Sequence, residues 1–193
     1  MKIIAITGSI GCGKTFIANI LKSMGYDIFD ADKTVKYFYY NKKFINIIKH
    51  KFPESFDEKG VFVKRKLRNI VFGNKNKLKE LENLIHPLLK DNLKKKIRKK
   101  CKTSDFLFLD VALLYEMNWD IYCDYVILAD VDKNIQKQRV IKRDNITEED
   151  FKKIYELQTN NDLKKNMVDV IINTGYSEGI IKLKLIDFLK DIS

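Results

Sequence analysis

With 193 residues, 45% of them hydrophobic, the chain is long enough for one α/β domain with insertions and too apolar to be disordered. No apolar run approaches the roughly 18 residues of a membrane helix, and three cysteines without metal-ligand spacing argue against a zinc module or a disulfide framework. The net charge of +11 asks for an anionic partner or a solvated basic surface.

Lys2 is followed at once by Ile3-Ile4-Ala5-Ile6, a short apolar run that predicts a buried parallel strand. A chain that opens on a strand leaves no signal or transit peptide, so a cytoplasmic, reducing compartment is expected. Gly8-Ser9-Ile10-Gly11-Cys12-Gly13-Lys14-Thr15 comes next. It has the spacing of a phosphate-binding loop, a glycine, four free positions, then Gly-Lys-Thr. The helical pattern Phe16, Ile17, Ile20, Leu21, Met24 follows it and stops at Gly25. Strand, glycine loop and helix N-terminus together make an anion site. Glycines let backbone N–H groups close around the β- and γ-phosphates, Lys14 supplies a charge to them, and the Thr15 hydroxyl is a candidate Mg²⁺ ligand. The candidate nucleotide site is thus Gly8, Gly11, Cys12, Gly13, Lys14, Thr15 and Phe16, and its ligand is a nucleoside triphosphate.

Tyr26 to Phe29 predicts a second strand, running into Asp30-Ala31-Asp32, with a helix from near Lys33. Ligands of open parallel sheets sit beyond the carboxyl ends of the strands, so these acids and the glycine loop should face one cleft. Between Asn41 and about Lys102 helical periodicities replace the alternation: Phe44, Ile47, Ile48; then Leu67, Ile70, Val71; then Leu78, Leu81, Leu84, Ile85. His86-Pro87 predicts a helix break and a new helix from Pro87 to about Cys101. In that last segment Leu89, Leu93, Ile97 and Cys101 form one stripe, which puts the lysines between Lys90 and Lys102 on the solvated face. No nucleic-acid module accompanies them, so nucleic acid is not the expected partner.

Phe106-Leu107-Phe108-Leu109-Asp110 is an apolar strand ending in an acid, placed either to hold Mg²⁺ or simply to close the strand. Tyr125 to Ala129 is the next strand. A helix from about Asn134 then puts Arg139 and Arg143 on one face. Thr147 with Glu148-Glu149-Asp150 reads as a capped helix start. Val170-Ile171-Ile172 is a last buried strand, and Ile181, Leu185 and Leu189 mark a terminal helix. Five parallel strands with covering helices predict a three-layer α/β fold of the P-loop class. The guanine-reading Asn-Lys-x-Asp of a GTPase is absent, and a small domain with a helical insertion and late paired arginines points to a small-molecule kinase.

Taken together, the motifs resemble the dephospho-CoA kinase family. They are Thr7 to Lys14, Asp30-Ala31-Asp32, Lys59-Gly60-Val61-Phe62-Val63-Lys64-Arg65-Lys66-Leu67, Ile85-His86-Pro87-Leu88, Asp110-Val111-Ala112-Leu113-Leu114-Tyr115-Glu116, and Arg139, Arg143-Asp144 and Gln158. Ala112 stands where the family usually has proline, Phe16 where it usually has Ser or Thr, and Asn161 and Lys164 where it often has arginines. The resemblance implies ATP-dependent phosphorylation of the ribose 3′-hydroxyl of dephospho-CoA, with ATP and Mg²⁺ bound by one P-loop kinase domain. That domain would carry an acceptor-binding helical insertion at about 33–104 and a lid at about 138–165. It further implies Asp32 as general base, with Lys14 and Arg139 as catalytic cations. Arg139 and Arg143 would act on ATP; Asp32, Arg65, His86 and Leu113 on the acceptor; Thr15 and Asp110 on the metal. Several of these residues keep an ordinary alternative: a helix cap for Asp32, an ion pair with Asp144 or Glu148 for Arg143, a backbone-satisfied histidine for His86, a solvated charge for Arg65. Another small-molecule kinase, of nucleotide or shikimate type, is the alternative function. The chain is expected to act as a monomer or weak oligomer, away from membranes.

Overall fold

A sheet this apolar has to be covered on both faces, and helices alternating with its strands do so. The computed structural model describes residues 1–72, 74–101, 104–156, 158 and 161–193. Lys102 and residues 157, 159 and 160 of the expected lid lie outside these. β1 (Lys2–Thr7) leads through the glycine loop into α1 (Lys14–Ser23), and β2 (Asp27–Asp30) into α2 (Ala31–Phe38). Then come α3 (Lys42–Lys51), α4 (Lys64–Phe72) and α5 (Lys75–Lys100). β3 (Phe106–Asp110), β4 (Tyr125–Asp130), α6 (Lys133–Asp144), α7 (Glu148–Glu156), α8 (Asn161–Lys164), β5 (Val170–Asn173) and α9 (Glu178–Asp191) complete the order.

The chain divides into two compact units, residues 1–30 with 97–193, and residues 31–96. The first holds the sheet. Its strands run parallel in the order β2-β3-β1-β4-β5, so β1 is central, with Ile6 opposite Asp110 of β3 and opposite Ile127 of β4. Central position explains the complete burial of Ile4, Ala5, Ile6 and Thr7. Ile17, Ile20 and Leu21 of α1 and Ile181, Leu185 and Leu189 of α9 join the same core. β5 is an edge strand. Only Ile172 of its apolar run is buried, and Ile171 is 41% exposed, which corrects the expectation of a buried last strand. An edge strand has one neighbour, and its outer side chains need no cover.

The second unit is helical around Phe44, Ile48, Phe52, Phe56, Leu67 and Val71, with a stacked Tyr39–Phe62 pair beside Phe44 and Phe56. Here the structure corrects two boundaries. α2 begins at Ala31, two residues before the expected start, so Asp32 lies inside its first turn and does not cap it. And α5 runs unbroken through Pro87. Proline inside a helix costs about 3 kcal/mol. Leu81, Ile85, Leu89 and Leu93, however, form one buried stripe at four-residue spacing, and each buried side chain returns about 1.5–3 kcal/mol. A break at His86 would split that stripe, so the continuous helix wins.

Candidate active site

The site is built at the C-terminal end of β1. Glycine is required at two places there. Gly13 has φ 92°, and a Cβ on it would meet Thr174 Oγ1 at 2.6 Å; Gly11 has φ 78°, and its Cβ would meet the Gln136 carbonyl at 2.7 Å. Gly13 is also the N-cap of α1, with no side chain bonded across the cap and no acid in the first turn. The positive end of the helix is therefore left for an external anion. Cys12 lies in the same loop but contributes no nucleophile, because burial pushes its thiol up to about 11.

Lys14 pairs with Asp110, and both side chains are largely withdrawn from solvent, 11% and 4% exposed. Strand register explains the meeting: Asp110 lies beside Ile6, and the Val111 N–H donates to Ile6 O at 3.1 Å. Thr15 is exposed in the first turn of α1, and Phe16 is 36% exposed beside it. Leu113 is half-buried in the segment after β3.

The arginines separate. Arg139 donates from Nη1 to Thr174 Oγ1 at 2.9 Å and from Nη2 to Thr174 O at 3.0 Å, while Thr174 Oγ1 donates to Cys12 O at 2.6 Å. Arg139 is thus joined to the glycine loop through one residue. Arg143 instead forks onto Asp144 from Nε and Nη2, at 2.8 and 2.7 Å, on the exposed side of α6. The Asp144 bond pushes its guanidinium pKa up. The structure therefore shows the ion pair that the sequence offered as the ordinary role for Arg143.

In the helical unit, Asp32 and Arg65 are exposed on the first turns of α2 and α4. His86 is half-buried within α5. Burial lowers its pKa, and the nearby Glu82 charge offsets part of that.

The sequence reading gave no role to Gln136 or Thr174, and it named Glu116 only within a family motif and Asn161 and Lys164 only as departures from the family's arginines. Ser9 N–H donates to Asn161 Oδ1 at 2.9 Å, Ile10 N–H to Gln158 Oε1 at 2.7 Å, and Ser9 Oγ to Gln136 Oε1 at 3.0 Å. Lys164 is fully buried, its ammonium 3.6 Å from Glu116 Oε1 and without a hydrogen-bond partner among the described residues. A single polar residue in a helix or after a strand carries no periodic signal, so only position in space shows what these contact.

The family model described as Dephospho-CoA kinase matches residues 2–178. The chain belongs to the dephospho-CoA kinase family. A Dephospho-CoA kinase of Bartonella quintana is 35% identical over 176 residues, 91% of this chain and 90% of that one. One of Rickettsia conorii is 31% identical over 192 residues, 100% and 98% of the two chains. Among solved structures, a Thermus thermophilus protein superposes with a TM-score of 0.87 at 25% identity, covering 100% of this chain and 98% of its own. A Campylobacter jejuni Dephospho-CoA kinase, at 24% identity, shares the fold with a TM-score of 0.69, covering 99% and 96%. The family's activity is phosphate transfer to dephospho-CoA with ATP as donor, and it is the activity of this chain. The five-stranded parallel fold follows the sequence reading, and no helix among the described residues is long and apolar enough to cross a membrane.

Proposed function

We propose that the chain transfers the γ-phosphoryl group of ATP to the ribose 3′-hydroxyl of dephospho-CoA, with its own side chains in the roles that follow. The reading rests on one observation above all, the Lys14–Asp110 pair at the ends of neighbouring strands beside a bare helix N-terminus. A cation and an acid held there suit a triphosphate and its metal. The loop amides and Lys14 bind the β- and γ-phosphates, and Lys14 offsets the charge that develops on the transferring group. Arg139 approaches the same group from Thr174, which occupies only part of its donor set. Asp32 orients the acceptor hydroxyl and takes its proton. Residues 31–96, with Arg65 and His86, hold the acceptor, aided by Leu113.

Among the described residues no group of three or more His, Cys, Asp or Glu could hold a metal ion by itself. That fits Mg²⁺, which keeps water and substrate phosphates in its shell and takes one or two protein oxygens. Thr15 and Asp110 are those oxygens in our reading. Mg²⁺ held there would supply charge neutralisation to the phosphates. We also place the chain in the cytoplasm, as a monomer or weak oligomer. The test is ATP consumption with and without dephospho-CoA, with the product identified by mass spectrometry. Turnover that requires dephospho-CoA and adds one phosphate at the 3′ position is expected. Consumption indifferent to dephospho-CoA but stimulated by shikimate or a nucleoside would overturn it.

A further inference from the structure

The first half of the glycine loop does not face the phosphates with free amides. Both of its leading N–H groups are already taken, each by a side-chain carbonyl from the segment between α7 and β5. Asn161 Oδ1 accepts from Ser9 N–H at 2.9 Å, and Gln158 Oε1 accepts from Ile10 N–H at 2.7 Å. Asn161 is 3% exposed and Ser9 4%, so water does not substitute for the bond between them. The amide nitrogen of Asn161 is also fixed, donating to Ala129 O at 3.2 Å and Asp130 Oδ1 at 2.8 Å at the end of β4. Side-chain rotation is therefore locked, with oxygen toward the loop and nitrogen toward the strand. Two lysines fasten the same stretch. Lys165 Nζ lies 3.1 Å from Asp130 Oδ2, and the buried Lys164 ammonium lies 3.6 Å from Glu116. α8 packs on β4, whereas Glu116 follows β3, and these strands flank β1 on opposite sides. Lys164 thus ties α8 to the segment that follows β3, the strand on the other side of β1.

We infer that Asn161 and Gln158 are positioning residues for the nucleotide. They hold the loop in its phosphate-binding curve before any nucleotide arrives, and with the Cys12 N–H also taken, by Ser9 O at 3.2 Å, the phosphate is met by the loop's last amides at the start of α1. Glycines at Gly8, Gly11 and Gly13 make this necessary. A loop with three positive-φ glycines has many accessible shapes, and each restraint imposed beforehand lowers the entropy lost on binding. The restraints come from the segment that follows α7, so ATP affinity is set in part by residues remote in sequence from the loop. The inference rests on the P-loop being the ATP site.

The experiment measures ATP affinity directly, by calorimetry on the full chain with Mg²⁺ and no acceptor, for Asn161→Ala and Gln158→Leu. Wild-type binding in the same titration establishes the ATP site itself, so failure of the site and failure of the inference are separate results. Each variant removes one acceptor from the loop, and loss of one hydrogen bond of this kind corresponds to about tenfold in affinity. The expected result is ATP binding weakened about tenfold in each variant, with the KM for dephospho-CoA within twofold of wild type. A purely structural role would lower the melting temperature and leave the ATP affinity of the folded fraction unchanged. That outcome in either variant overturns the inference. If Asn161→Ala does not fold, Gln158→Leu decides alone, since Gln158 is half-buried and its loss leaves the Asn161 bonds in place.

Discussion

Thr174 is the link between Arg139 and the glycine loop. The guanidinium donates to its hydroxyl and its carbonyl, and the hydroxyl donates on to Cys12 O. One threonine at the turn after β5 therefore fixes both a catalytic candidate and the loop it would serve. Arg139→Ala should lower kcat more than it raises the KM for dephospho-CoA, because contact with developing phosphoryl charge acts in the transition state. Arg139→Lys should recover little, since an ammonium cannot reproduce the two-pronged contact. Steady-state kinetics with both substrates varied will separate the effects. A change confined to the acceptor KM moves Arg139 to the acceptor site.

Lys14→Ala should reduce turnover by about 10²–10³-fold or more through loss of charge at the transferring group. It also leaves the buried Asp110 carboxylate without this cation, so the variant should lose at least about 2 kcal/mol, or roughly 4–8 °C in melting temperature. The double variant Lys14→Ala/Asp110→Asn should regain most of that stability and none of the turnover. Recovery of activity in the double variant would remove Lys14 from catalysis.

Asp32→Asn separates a base from a helix-end charge. Asp32 lies inside the first turn of α2, where an acid contributes about 0.3–1 kcal/mol through the helix dipole. Asparagine keeps the shape and loses that charge, so the melting temperature should fall by no more than about 2–4 °C. Loss of a positioned base costs about 10²–10⁴ in rate. Near-wild-type ATP affinity with kcat down at least about a hundredfold is expected. A kcat within a few-fold of wild type ends the general-base role.

His86 gives the stability of the protein a pH dependence of known sign. Burial lowers its pKa in the folded chain below the 6.5 of an unfolded histidine. The unfolded chain takes up the proton first as pH falls, so this contribution is intact above pH 6.5 and is lost as pH drops through the folded value. Wild type should lose more melting temperature between pH 7.5 and 5.5 than His86→Gln does. Equal losses would show that His86 does not carry the effect.

The amino-acid order alone specified the strand, loop and helix of the phosphate site, because a string of glycines followed by Lys14-Thr15 has few other physical uses between an apolar run and an amphipathic helix. It determined the capped start of α7 as well: Thr147 Oγ1 accepts from the Asp150 N–H at 3.1 Å, a bond between residues three apart. Local chemistry is legible because both partners lie in one short window. The unbroken α5 through Pro87 was not legible, since the local preference at His86-Pro87 is opposed by a stripe whose burial exists only once the unit has packed. Nor were the bonds from Gln136, Gln158 and Asn161 to Ser9 and Ile10, or from Arg139 through Thr174 to Cys12. The loop and its partners are more than a hundred residues apart, Arg139 and Thr174 are 35 apart, and a polar side chain shows its purpose only when folding removes water and leaves it few partners within reach. Tertiary structure decided which amides of the loop are already occupied.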